Sequence, residues 1–125
     1  MAQPGKLRRG WRTAAAPNIP LQPYSFRAIL PAVDIINGSF EWDAEKAEAN
    51  ARKHGVTFEE AATAFADPAA VIAPDGSGRG DVFVLIGISQ RARLLTVVHV
   101  ERGARDRIVS AWIATAAETR LYREG

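Results

Sequence analysis

The sequence contains no cysteine, which excludes a disulfide framework and any thiolate nucleophile, and a cytoplasmic protein is expected. No apolar run approaches the length of a membrane span, so a soluble chain with no membrane partner is expected. No HExxH, no cysteine and histidine cluster and no paired-carboxylate spacing is present, so neither a metal nor another cofactor is expected. The first 33 residues lack acidic side chains, lack an apolar period and lack the apolar stretch of a signal peptide. Residues 1–33 are therefore read as a disordered extension, or as the product of a start codon placed too far upstream. The folded domain is expected to span 34–125.

A length of 125 residues allows one domain with one hydrophobic core. The net charge of +2 hides a segregation: residues 1–33 carry five basic groups and no acid, residues 34–78 three basic and nine acidic groups, and residues 79–125 eight basic and five acidic groups. The basic pI thus owes most to the N-terminal segment and is no argument by itself for nucleic-acid binding. Only the C-terminal half of the domain is a basic surface in its own right.

The stretch from Phe40 to Pro68 reads as a short strand followed by two helices. Asp43 is placed to cap the first helix, which runs through Ala44, Ala47, Ala49 and Ala51 until Gly55 supplies a left-handed stop. Thr57 and Glu60 have the spacing of a capping box for the second, which carries Phe58, Ala61, Ala62 and Phe65 as an apolar stripe and closes at Asp67-Pro68. Lys46, Asn50 and Lys53 or His54 recur on one face of the first helix. Two readings of Lys53-His54 stand side by side: cations that complement the helix dipole, or a base of near-neutral pKa beside a fixed positive charge.

Beyond Pro68 the pattern turns to strands. Ala70–Ala73 is a short one, and the glycine-rich loop from Pro74 to Gly80 has neither the lysine nor the helix that a phosphate loop requires, so it reads as a mobile connection. Val82–Ser89 and Arg93–Glu101 form a hairpin, and Arg107–Ile113 follows a second short polar link. Connections this short exclude crossover helices, so these strands pair antiparallel. Thr115 and Glu118 cap a last helix. The expected fold is α+β: an antiparallel sheet with two N-terminal helices and a short C-terminal helix packed on one face.

Taken in order, Phe40-Glu41-Trp42-Asp43, Lys46, Asn50, Lys53-His54-Gly55-Val56, Phe58, Ala61 and Asp67-Pro68 resemble the N-terminal signature of the BrnT-type toxins of bacterial type II toxin–antitoxin systems. Ile86-Gly87, the strand from Leu94 to Val98, Glu101-Arg102, Arg107-Ile108-Val109-Ser110-Ala111, Thr115, Glu118 and Tyr122 resemble the remainder. The resemblance implies a RelE/ParE-like fold and a ribonuclease neutralised by a cognate antitoxin. It also implies a ribbon-helix-helix, BrnA-like partner and contact with operator DNA through that partner.

Metal-independent cleavage of RNA uses the ribose 2′-hydroxyl as nucleophile and needs a base, an acid and cations against the phosphorane charge. The expected catalytic set is Lys53, His54, Arg102 and Arg107, with Lys46, Asn50, Glu101 and Arg79 as substrate contacts. These residues form one site only if the first helix ends near the far edge of the second hairpin. The sequence also supplies His99, and structural readings stand beside the functional ones: His99 as a hydrogen-bonded sheet residue, and Glu101 and Arg102 as partners of Arg105 and Asp106 across the turn. Two positions depart from the family pattern. Trp112 stands where an arginine commonly follows Ser-Ala, and Val82 stands near the place of another. Three functions therefore remain open: a ribonuclease toxin, a catalytically weakened or inactive homologue acting as an antitoxin-binding module or corepressor, and an unrelated α+β domain.

Overall fold

The computed structural model describes residues 33–125, so what was expected of residues 1–32 lies outside the described residues. Six strands, β1 (Asp34–Asn37), β2 (Phe40–Asp43), β3 (Val71–Pro74), β4 (Val82–Ile88), β5 (Leu94–Arg102) and β6 (Arg105–Ile113), form one sheet in the order β1-β2-β6-β5-β4-β3. Among the described residues three α-helices accompany it: α1 (Ala44–His54), α2 (Phe58–Thr63), extended by a 3-10 turn at Ala64–Ala66, and α3 (Ala116–Glu124). No helix among the described residues is long and apolar enough to cross a membrane.

The local signals act as their chemistry dictates. Asp43 accepts from the Lys46 amide at 2.9 Å, and Gly55 adopts φ 70° and ends α1. Thr57 accepts from the Glu60 amide at 3.0 Å, but Glu60 does not complete a capping box, because its carboxylate is drawn to Arg93 instead. At α3 the box is reciprocal: Thr115 Oγ1 accepts from the Glu118 amide, and Glu118 Oε1 accepts from the Thr115 amide.

Two expectations about the sheet are corrected. The sheet is mixed, because β2 pairs with β6 in parallel, Phe40 opposite Asp106 and Glu41 opposite Arg107. Short connections force antiparallel pairing only within the β3-to-β6 meander, whereas β2 and β6 are separated by most of the domain. The helices also occupy both faces. Leu85, Leu95, Val97, Ile108 and Ala111 meet Trp42, Val56, Phe58, Ala61 and Ala64 in the core on the α1–α2 side. Helix α3 instead reaches Thr96 and Trp112 through Glu118, and these alternate with Leu95, Val97 and Ala111. The strand at Asp34–Asn37, which is not among the expected elements, forms a hairpin with β2.

One irregularity sets the register of the β5–β6 hairpin. Val98 pairs with Ser110 but His99 pairs with Ile108, so Val109 is an extra residue, a β-bulge in β6. Beyond it the hairpin closes through Gly103 and Ala104. Gly103 has φ 59°, which a tight hairpin turn with glycine at its first position requires.

Candidate active site

The bulge determines which side chains share a face at the far end of the β5–β6 hairpin. Arg102 lies opposite Arg105, Val100 opposite Arg107, and Glu101 opposite Asp106. Arg102, Arg105 and Arg107 therefore lie on the face away from α1 and α2, and His99, Glu101 and Asp106 on the face toward them.

On the arginine side, β1 and β2 supply the counter-charges. Arg107 donates to Glu41 Oε2 at 2.8 Å and to Asp34 Oδ1 at 2.9 Å, and Arg102 donates to the same Glu41 oxygen at 3.4 Å. Burial opposes the charge on Arg107, yet the hydrogen bonds to Asp34 and Glu41 outweigh it, and its pKa is raised. Two guanidinium groups from the two arms of one hairpin thus converge on a single carboxylate oxygen. Arg79 donates to Asp81 Oδ2 at 3.3 Å in the neighbouring β3–β4 loop. That loop is tied by Ser77 on Asp75, by the Arg79 amide on Ser77 and by the Asp75 amide on the Val82 carbonyl. The exposed Glu101 donates its backbone N–H to the Asp81 carbonyl at 2.9 Å.

On the other side, His99 is 3% exposed. Its Nδ1 lies 3.2 Å from Asp106 Oδ1, its Nε2 is buried without a partner, and its ring packs edge-on to Phe65 at 4.8 Å and against Phe83 at 5.9 Å. Burial pushes the imidazole pKa down, and the negative charges of Asp106 and Glu101 only partly offset this. With Asp106 as acceptor, the neutral ring carries its hydrogen on Nδ1.

The expected residues on α1 fall elsewhere. His54 sits at the other end of β6, its ring centroid 6.0 Å from that of Trp112, and Lys53 is exposed beside it. Trp112 and Arg107 are five strand residues apart, about 16 Å. Lys53 and His54 therefore lie at the opposite end of β6 from Arg102 and Arg107. Asn50 is 7% exposed and fully engaged. Its amide nitrogen donates to Val56 O at 3.0 Å and Ala111 O at 2.8 Å, while its oxygen accepts from Ala111 N and Ser110 Oγ. It closes the β6 edge where β2 has ended, in the manner of a strand neighbour, and has no capacity left for a substrate. Lys46 lies exposed in the first turn of α1.

Trp112, the departure from the expected arginine, is fixed by its indole N–H donating to Glu118 Oε1 at 3.1 Å. Glu118 also accepts from Thr96 and the Thr115 amide; burial opposes its charge, but these bonds prevail and lower its pKa. Val82, the other departure, is buried.

The family profile described as "Ribonuclease toxin, BrnT, of type II toxin-antitoxin system" matches residues 42–118, from the buried Trp42 to the capping Glu118. The chain belongs to the BrnT ribonuclease toxins. It is also similar to the crystal structure of the Brucella abortus ribonuclease toxin BrnT, with 22% identity, a TM-score of 0.49, and coverage of 59% of this chain and 92% of that one. No curated protein matches the chain. As a BrnT toxin it is a member of a type II system, whose partner is an antitoxin and whose substrate class is RNA. What the sequence did not reveal about this BrnT chain is the set of carboxylates around its arginines. Asp34 and Glu41 belong to a hairpin that the β-branched Ile35-Ile36 and the following Asn37-Gly38 could have signalled, whereas Asp106 acquires its partner only through the bulge. For the arginines, the alternation of Arg105 and Arg107 was the available clue.

Proposed function

We propose that this BrnT chain cleaves RNA without a metal ion, binding the scissile phosphate at Arg102 and Arg107. The observation that carries this reading is the convergence of both guanidinium groups on one oxygen of Glu41, a built-in anion in the place a phosphate oxygen would take. The 2′-hydroxyl attacks the adjacent phosphate, and the two arginines oppose the charge that develops on it. Glu101, on the opposite face of the hairpin tip, contacts a flanking part of the RNA, whereas Glu41, on the arginine face and displaced from the two guanidinium groups by the phosphate, is the candidate base. Arg79 and the more distant Lys46, Lys53 and His54 serve flanking parts of the RNA strand. The superfamily is read as RelE/ParE-like, the location as cytoplasmic, and the antitoxin as a ribbon-helix-helix, BrnA-like protein that carries the pair to operator DNA.

The test is incubation of purified protein with single-stranded RNA, with and without EDTA. Cleavage that survives the chelator and leaves a 2′,3′-cyclic phosphate supports the reading. Arg107→Ala is expected to slow it by about 10²–10³-fold. Cleavage abolished by EDTA, or unaffected by Arg102→Ala and Arg107→Ala, rejects it.

A second reading is favoured by Trp112, which places an indole on Glu118 where the family resemblance implies an arginine. The protein is then an antitoxin-binding module or corepressor without catalysis. Folded wild-type protein and folded Trp112→Arg that both fail to cut RNA, while binding a ribbon-helix-helix partner, establish that reading over the first.

A further inference from the structure

The register of the β5–β6 hairpin runs against the charges it aligns. Glu101 faces Asp106 and Arg102 faces Arg105, and like charges placed directly opposite one another repel. Removing the bulge at Val109 would put Arg107 opposite Glu101 and Asp106 opposite Arg102, two attractive pairs. The bulged register instead gathers the three arginines on one face. Something must hold it there. Ile108 in the core is one restraint, and the pairing of the Asp106 amide with the Ser39 carbonyl at 2.9 Å is another. The third is the contact of His99 Nδ1 with Asp106 Oδ1 at 3.2 Å.

His99 is a poor choice if the position only fills space. Its neighbours are Phe65 and Phe83, its Nε2 is buried with no partner, and an apolar side chain would avoid that desolvation. The feature an apolar residue cannot supply is the Nδ1 hydrogen for Asp106. Successive strand residues point to opposite faces, so turning Asp106 inward turns Arg105 and Arg107 outward together. We propose that His99 is a positioning residue for RNA binding: its hydrogen bond to Asp106 pins the bulged register that presents Arg102, Arg105 and Arg107 on one face to the phosphate backbone. This rests on the RNA-binding reading above and deepens it, adding Arg105 to the phosphate contacts and giving the Val109 bulge its role.

The experiment compares wild type, His99→Phe and His99→Asn in the full chain. Phenylalanine keeps the aromatic packing and loses the donor; the asparagine amide restores a donor near the Nδ1 position. Binding is measured with a 2′-O-methyl oligonucleotide, which cannot be cleaved, over a range of salt concentrations. Register is read independently from NMR cross-strand contacts between Val100 and Arg107. His99→Phe is expected to weaken binding at least tenfold, to flatten the salt dependence by about one to two phosphate contacts, and to lose the Val100 to Arg107 contacts. His99→Asn is expected to remain within threefold of wild type. In a background with Arg102, Arg105 and Arg107 all replaced by alanine the effect of His99→Phe on binding should largely vanish, since a residue acting through those arginines is not additive with their loss. His99→Phe with intact cross-strand contacts and unchanged affinity overturns the proposal. If wild type binds no RNA, the RNA reading falls. The NMR contacts then decide the register claim alone: their loss in His99→Phe sustains it and their persistence rejects it. Should His99→Phe fail to fold, Asp106→Ala, which removes the acceptor, replaces it in the same measurements with the same outcomes.

Discussion

The two ends of strand β5 treat charge in opposite ways. Just before the strand begins, Arg93 donates through Nε to Glu60 Oε2 at 2.9 Å and through its terminal nitrogen to the same carboxylate and to the Gly55 carbonyl. Ser89 Oγ donates to Glu60 at 2.7 Å, and Arg91 lies 3.7 Å away. Glu60 is 6% exposed, and the hydrogen bond from Arg93, above all, holds its pKa down against the effect of burial. Opposite charges here bind α1, α2 and the β4–β5 turn into one unit. At the far end the cross-strand neighbours are like charges, and carboxylates borrowed from β1 and β2 offset the arginines. The first arrangement spends charge on stability, whereas the second leaves cations where an external anion can compete for them.

The comparison breaks most visibly if Glu60 is removed. Glu60→Ala leaves Arg93 and Ser89 without their shared acceptor, and a buried pair broken on one side is expected to cost about 3 kcal/mol. Urea unfolding should show a lower midpoint at unchanged slope. Arg102→Ala, at the other end and half exposed, is expected to stay within about 0.5 kcal/mol of wild type. Equal losses at the two sites would erase the distinction between them.

Gly87 tests the packing beside the stable end. A Cβ there would lie 2.9 Å from the Ala64 carbonyl oxygen and 3.2 Å from Ala70 Cβ, so the 3-10 turn rests directly on β4. Gly87→Ala is expected to destabilise by about 2 kcal/mol with little effect on RNA affinity, as judged by melting temperature and binding together. A neutral substitution would mean that the 3-10 turn can move aside.

These contrasts show what was legible in the sequence. Asp43, Gly55, Thr57 and Thr115 announced themselves because a cap is settled within four residues of chain. Glu60 had the same local credentials as Glu118, and only its partner 33 residues later separated a buried ion pair from a capping box. Asn50 shared a helical row with Lys46 and His54, but the row said nothing of a strand edge that needed closing. The parallel pairing of β2 with β6 is a long-range event with no local signature. The arginine face was half visible. Arg105 and Arg107 alternate, but whether Arg102 joins them depends on the unpaired Val109, which reads as an ordinary strand residue.

A smaller and graded effect concerns pH. The pKa of His99 in the folded protein lies below its ordinary value because the ring is buried, so the unfolded chain binds the proton more readily. The neutral ring's contribution is fully present above the unfolded pKa, about 6.5. It is lost as pH falls through that value toward the lower folded one. Wild type should therefore lose stability relative to His99→Phe between about pH 7.5 and pH 5, before the carboxylates of Glu60 and Glu118, whose pKa values are also lowered, begin to protonate. Parallel stability curves for the two proteins across that window would show that His99 is not buried as described.

The smallest effect compares the turns at the two ends of β5. Ala92 closes the β4–β5 turn with φ 63°, and Gly103 closes the β5–β6 turn with φ 59°. An L-residue in the left-handed region costs about 1–2 kcal/mol, which Gly103 avoids and Ala92 does not. The Ala92 amide bonds to the Ser89 carbonyl at 2.8 Å and the Ser89 amide to the Arg93 carbonyl at 2.8 Å, so the Glu60 network and the strand pairing hold the strained turn in place. Ala92→Gly relieves the strain but also gives the unfolded chain more freedom, worth about 0.5–1 kcal/mol in the other direction. The net expectation is a gain of about 0.5 kcal/mol, or a rise of about 2–4 °C in Tm. Because the turn lies at the end of the sheet away from Arg102, Arg105 and Arg107, RNA affinity and cleavage should not change. A gain in stability accompanied by a loss of RNA affinity would show that the turn is coupled to the arginine face along β5, and that the two ends are not independent after all.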